Sequence, residues 1–140
     1  GKKEVIFEGL DDPFYIADFR KWQVIQPDIE RLAGMGAQIL CIEQERPHVP
    51  LERAVMGIRI TPEMVGVQFH PEADPPGMAW HFIQPERQQA IKENFGEAKY
   101  QRIMSHLYDP NYLLKTYNSV LPNFLRNAIL ALRPQILQVV

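Results

Sequence analysis

The apolar run from Met64 to Phe69 stops abruptly at His70-Pro71-Glu72, and this junction separates two kinds of sequence. Before it, short β-branched and aromatic runs alternate with breakers. After it, Asp74-Pro75-Pro76-Gly77 interrupts the chain and the apolar spacing becomes helical. Pro71 fixes its own φ and pushes His70 out of the helical region. Side chains two apart on extended backbone point to one face. An imidazole and a carboxylate are therefore aimed at each other where a strand gives way to a loop. A His steered by a carboxylate is the base-plus-orienter half of a nucleophilic triad. The plainer reading makes His70 a strand-end residue bonded to backbone and Glu72 a solvated carboxylate. The catalytic reading is favoured because one short segment supplies both base and orienter.

Upstream, five candidate strands are legible: Phe14–Phe19, Trp22–Gln26, Ala37–Gln44, Ala54–Ile60 and Met64–Phe69. Pro13 and Pro27 bracket the first two. Asp28 is a helix N-cap for a short helix to Met35, stopped by Gly34 and Gly36. Thr61-Pro62-Glu63 is short enough for a hairpin between the last two strands. Arg46 to Pro50 is a loop, and His48 within it reads as a surface residue. Ile39-Leu40-Cys41-Ile42 and Val55-Met56-Gly57-Ile58 look buried on both faces.

Downstream, Met78–Ile83 suits a helical turn. Pro85 starts a helix that Gly96 ends, and Tyr100, Ile103, Met104 and Leu107 follow helical spacing. Asp109-Pro110 opens another helix, with Tyr112, Leu113 and Tyr117 toward its inner face. The last helix, Pro122–Leu132, carries the apolar stripe Leu121, Phe124, Leu125, Ala128, Ile129 and Leu132, and Pro134 is expected to end it. Strands followed by helices indicate an α/β or α+β chain. Residues 1–75 are expected to be sheet-rich and residues 76–140 a helical extension packing on them as one unit. The helices can cover one sheet face. The other is expected to need material from outside the chain, or a second copy.

The net charge of −2 leaves no basic footprint for nucleic acid. No apolar stretch reaches membrane-spanning length, and Gly1-Lys2-Lys3-Glu4 lacks the apolar core of a signal peptide. One cysteine excludes an intrachain disulfide, which fits a cytoplasmic setting. Neither a Cys/His cluster with zinc spacing nor a Gly-rich phosphate loop is present, so no metal or cofactor is expected.

Gly66-Val67-Gln68-Phe69-His70-Pro71-Glu72 resembles the signature that supplies the His and Glu of class I glutamine amidotransferases. Asp12–Arg20 and Arg46–Met56 resemble the region preceding that signature in the GMP-synthase-like branch. The resemblance spans about the first half of the chain. It implies the C-terminal part of a flavodoxin-like sheet, and hydrolysis of glutamine to glutamate and ammonia by a Cys-His-Glu triad. His70 would be the base and Glu72 its orienter. The family's nucleophile sits in a Gly-x-Cys-x-Gly elbow N-terminal to these motifs, and this chain has no such elbow. Its only cysteine, Cys41, lies among aliphatics without flanking glycines and reads as a small core hydrophobe. The partners implied are glutamine and an N-terminal half, or another subunit, carrying the nucleophile. The chain alone is expected to be inactive. The alternative is a non-catalytic binding or interaction protein that kept the scaffold. A helical interaction domain working through Tyr100–Leu132 ranks behind both.

Among other residues, Phe69 is expected to pack beneath the site and Gln68 to face the opposite side of the strand. Arg20, Lys21 and Trp22 resemble a region near the mouth of the glutamine pocket. His81 and His106 read as solvated or capping residues. Tyr100, Tyr108, Tyr112 and Tyr117 read as core or helix contacts. Arg87, Lys92, Lys99 and Arg102, mixed with Glu86, Glu93 and Glu97, read as a solvated face.

Overall fold

The computed structural model describes residues 4–47 and 49–136, so His48 lies outside the described residues. The architecture is mixed α/β. A three-stranded antiparallel sheet has the order β1 (Gln38–Ile42), β2 (Val55–Thr61), β3 (Met64–Val67). Gly57 of β2 stands opposite both Cys41 and Val67, and Thr61 opposite Met64 closes the hairpin through Pro62 and Glu63. α1 (Ile29–Gly34) precedes the sheet, capped as expected by Asp28, whose carboxylate accepts the Arg31 N–H at 2.9 Å.

Phe14–Phe19 and Trp22–Gln26 are not strands. Their composition favours extended backbone, but no neighbour runs alongside them to form a ladder. Their hydrogen bonds scatter instead. Tyr15 O accepts from the Thr116 hydroxyl, Ala17 O from His70 N–H at 2.9 Å, and Val24 O from Val55 N–H at 2.8 Å. Each bond goes to a different element, so these segments act as straps across the domain. The sheet is correspondingly smaller than five candidate strands would build.

The helices are α2 (Pro75–Phe82), α3 (Pro85–Phe95), α4 (Glu97–Tyr108), α5 (Leu113–Tyr117) and α6 (Val120–Ile136). Two cores result. Ile6, Leu40, Ala54, Met56, Phe69 and Val120 form the sheet core, with Phe14 and Phe124 packed against it. Ala79, Tyr100, Met104 and Leu107 form the helical core, joined by Phe82 and Leu113. α6 docks on the N-terminal 3-10 turn Val5–Phe7, where the Asn123 side-chain amide donates to Glu8 O at 2.9 Å. Asn123 is nearly buried, and this bond meets its need for a partner.

α6 corrects the expected stripe. Val120 and Phe124 face the core, but Leu121, Leu125, Ile129 and Leu132 are exposed. The helix also runs through Pro134 to Ile136. Pro134 lacks the N–H that would bond the Leu130 carbonyl, yet within the described residues the helix continues past it. Among the described residues, no helix is long and apolar enough to cross a membrane.

Candidate functional site

Local structure dictates where the His70 ring sits. Phe69 is buried in the sheet core with its ring edge toward Phe14 at 6.0 Å between centroids. The next residue therefore has to leave the core. His70 N–H donates to Ala17 O at 2.9 Å, and His70 O accepts from Ala73 N–H at 3.2 Å, which closes a turn around Pro71 and Glu72. Asp74 then caps α2 by accepting the Gly77 N–H at 2.9 Å, and Pro75 is fully buried. The turn is pinned at both ends.

Within it, His70 Nδ1 lies 2.9 Å from Glu72 Oε1, with side chains about half and more than half exposed. The hydrogen bond from His70 holds the Glu72 carboxyl below its usual range, and a backbone hydrogen bond adds to the effect. Glu72 is then an acceptor, which places the proton of a neutral imidazole on Nδ1 and leaves Nε2 with its lone pair. That tautomer is the one a general base needs.

The strap Ala17–Arg20 backs the pair. The Phe19 ring lies 5.7 Å from the His70 ring and 6.5 Å from that of Phe82. Arg20 bridges to Asp18 at 2.6 Å and to Glu43 at 2.9 Å, and Nη1 lies 2.8 Å from Met56 Sδ. Arg20 thus turns inward and ties strap to sheet, while Trp22 is left exposed. The bonding role of Arg20 and the packing of Phe19 were not apparent from sequence. The only available signal was a charged residue and an exposed aromatic in a run of strand-like composition.

Cys41 is half-buried in β1, and burial pushes its thiol up to about 12. A thiol whose burial disfavours the thiolate is unsuited to nucleophilic attack. Gln68 sits at the rim of an apolar groove of about 630 Å³ lined by Val24, Leu32, Met35 and β2–β3 residues. Its amide donates to Trp22 O at 3.1 Å, and its buried carbonyl oxygen has no partner.

The remaining candidates lie away from the dyad. His81 is exposed on α2. His106 is part-exposed in the last turn of α4, and its ring stacks on Tyr112 at 4.3 Å and meets Tyr15 edge-on at 5.4 Å. Burial is the main cause that lowers its basicity, and Arg102 reinforces it. Tyr100 is a core residue with Lys92 over its ring at 4.9 Å, and Tyr108 is exposed. Lys92 also pairs with Glu97 at 2.9 Å on the charged helical face. Among the described residues, no group of three or more His, Cys, Asp or Glu side chains is placed to hold a metal ion.

No family model matches the chain, and neither the curated proteins nor the solved structures compared with it give a match.

Proposed function

We propose that this chain supplies the base and orienter of a class I glutamine amidotransferase, as the C-terminal part of a flavodoxin-like domain of the GMP-synthase-like kind. The observation that carries the reading is the 2.9 Å contact between His70 Nδ1 and Glu72 Oε1 on an exposed, doubly pinned turn. A general base has to reach solvent-borne reactants, and a structural ion pair has no such need.

The nucleophile in this reading is a cysteine from polypeptide outside these 140 residues, because Cys41 is the only cysteine within them and its burial disfavours the thiolate. His70 Nε2 takes the thiol proton, and the thiolate attacks the carboxamide carbon of glutamine. The C–N bond breaks as His70 returns the proton to the leaving nitrogen, releasing ammonia. Water, deprotonated by the same imidazole, then cleaves the glutamyl thioester to glutamate and free thiol. Glu72 holds the tautomer and stabilises the imidazolium formed in each half. A cytoplasmic location goes with this chemistry, since the thiol has to stay reduced.

The test is covalent capture. The complete polypeptide from the natural reading frame, with any partner that copurifies, is treated with a chloroketone analogue of glutamine and mapped by peptide mass. The label is expected on a cysteine outside these residues, with labelling at least tenfold slower in His70→Asn, given the ~10²-fold or greater contribution of a general base. Labelling that does not depend on His70, or that falls on Cys41, overturns the proposal. Reversible glutamine binding without any labelling would favour a scaffold kept for binding.

A further inference from the structure

We infer that Phe19 is a positioning residue for the His70–Glu72 pair, an inference that rests on the amidotransferase reading of that pair. More than half of the Phe19 surface is exposed (58%), so burial alone gives little reason for an aromatic there. Its neighbours supply one. On one side its ring lies 5.7 Å from the His70 imidazole at 51°, and on the other 6.5 Å from Phe82 at 55°. Both distances fall within the range of favourable tilted aromatic contacts.

The two neighbours are the ends of one continuous stretch. His70 opens the turn, Asp74 and Pro75 begin α2, and Phe82 closes that helix. Phe82 is anchored in the helical core beside Ala79, Tyr100, Met104 and Leu107. Phe19 therefore has the core-anchored Phe82 behind it and the His70 imidazole in front. Its own backbone is also held. Ala17 O, two residues before it, accepts His70 N–H at 2.9 Å. Arg20, one residue after it, is fastened to Asp18 at 2.6 Å and Glu43 at 2.9 Å.

The consequence is rotational. An exposed His side chain has three staggered χ1 choices and a broad, roughly two-fold χ2, and only some combinations bring Nδ1 to Glu72. Glu72 is itself more than half exposed, so its bond to the ring competes with water. The Phe19 face removes the rotamers that swing the imidazole toward the strap. The ring then stays in the orientation in which Nδ1 donates and Nε2 is free. An aromatic contact of ordinary strength shifts such a rotamer balance roughly two- to tenfold.

The experiment is imidazole nitrogen NMR on the complete polypeptide above the usual imidazole range, where tautomer can be read directly. Wild type, Phe19→Ala, Phe19→Tyr and Glu72→Gln are compared. Wild-type His70 is expected to carry its proton on Nδ1. Phe19→Ala is expected to lower the ratio of Nδ1–H to Nε2–H by roughly two- to tenfold, and Phe19→Tyr to restore it. Phe19 is largely exposed, so neither variant removes a core side chain, and the dispersion of the amide spectrum reports folding independently of the tautomer. An unchanged tautomer in folded Phe19→Ala overturns the inference and leaves the dyad intact. A wild-type proton on Nε2 overturns the dyad and this inference together. Phe19→Tyr behaving like Phe19→Ala would also overturn it, by showing that ring contact is not the cause.

Discussion

Nδ1 of His70 and Oε1 of Glu72 stand 2.9 Å apart across a single proline. A β-turn closed by the bond from Ala73 N–H to His70 O brings the two side chains together, with Pro71 fixing the first central φ, where the i, i+2 spacing had implied extended backbone. The contact also bears on the carboxylate. The bond from His70 is the largest cause holding Glu72 below its ordinary 4.5. In His70→Ala the Glu72 carboxyl should titrate back up toward 4.5, as followed by side-chain carboxyl NMR. The sign for stability follows: a depressed carboxyl contributes above its unfolded pKa, and that contribution is lost as pH falls through the folded value. The exposure of the pair keeps the effect on stability small, so the titration is the informative readout.

Gly57 and Cys41 are opposed across β1 and β2, and a Cβ on Gly57 would sit 2.9 Å from Cys41 Sγ. Gly57→Ala should therefore destabilise the chain by about 1–3 kcal/mol through overpacking. Cys41→Ala in the same chain removes the clashing sulfur and should restore most of that loss. Denaturant melts of the two single variants and the double variant provide the cycle. Simple additivity would contradict the packing account.

His106 provides a pH dependence of its own. Burial, then Arg102 and Lys99, oppose its protonation, while Asp109 partly favours it. A His whose folded pKa lies below its unfolded one binds fewer protons when folded. Stability should consequently fall as pH drops below about 6.5. His106→Phe keeps a ring against Tyr112 and Tyr15 without the titration, and should flatten the stability profile between neutral pH and the carboxylate range. Thermal melts in matched buffers check this, and a profile as steep as wild type would refute it.

How much of this was legible in the sequence depended on how local the cause is. Asp28 caps α1 and Pro85 opens α3 through contacts within one turn, and both are read from sequence spacing. The β2–β3 hairpin likewise follows from its short connection. Phe14–Phe19 and Trp22–Gln26 were misread because composition sets backbone conformation but cannot supply a neighbouring strand. The exposed side of α6 was misread because a helical period identifies an apolar face without showing what covers it. At the site, the i, i+2 spacing pointed to the pair, but a turn around Pro71 and Glu72, not an extended strand end, brings the two side chains together. Phe19 and the Arg20 anchor depend on elements distant in sequence, where local pattern carries no signal.

The uncovered apolar surface carries a prediction about association. Trp22, Ile29 and Met35 near the groove, and Leu121, Leu125 and Ile129 on α6, are all exposed. Among the described residues, outer strands β1 and β3 each pair on one side only. Several hundred Å² of apolar surface at about 25 cal/mol per Å² amounts to on the order of 10 kcal/mol, comparable to the stability of a whole domain. The isolated chain should self-associate with rising concentration, or bind a polypeptide that covers these faces. Sedimentation velocity at micromolar concentration distinguishes the cases, and a compact monomer with no second polypeptide would contradict this expectation.

Glutamate release from glutamine by the complete polypeptide, compared between wild type and His70→Asn, tests the proposed role of the pair most directly. His70→Asn removes the base while keeping a side chain of similar reach. The predicted result is a kcat lower by about 10²- to 10⁴-fold, the range a positioned general base contributes. Glu72→Gln should also lose activity, through the wrong imidazole tautomer. A His70→Asn enzyme with the wild-type rate would contradict the account, and the His70–Glu72 contact would then be an ordinary ion pair on a surface turn.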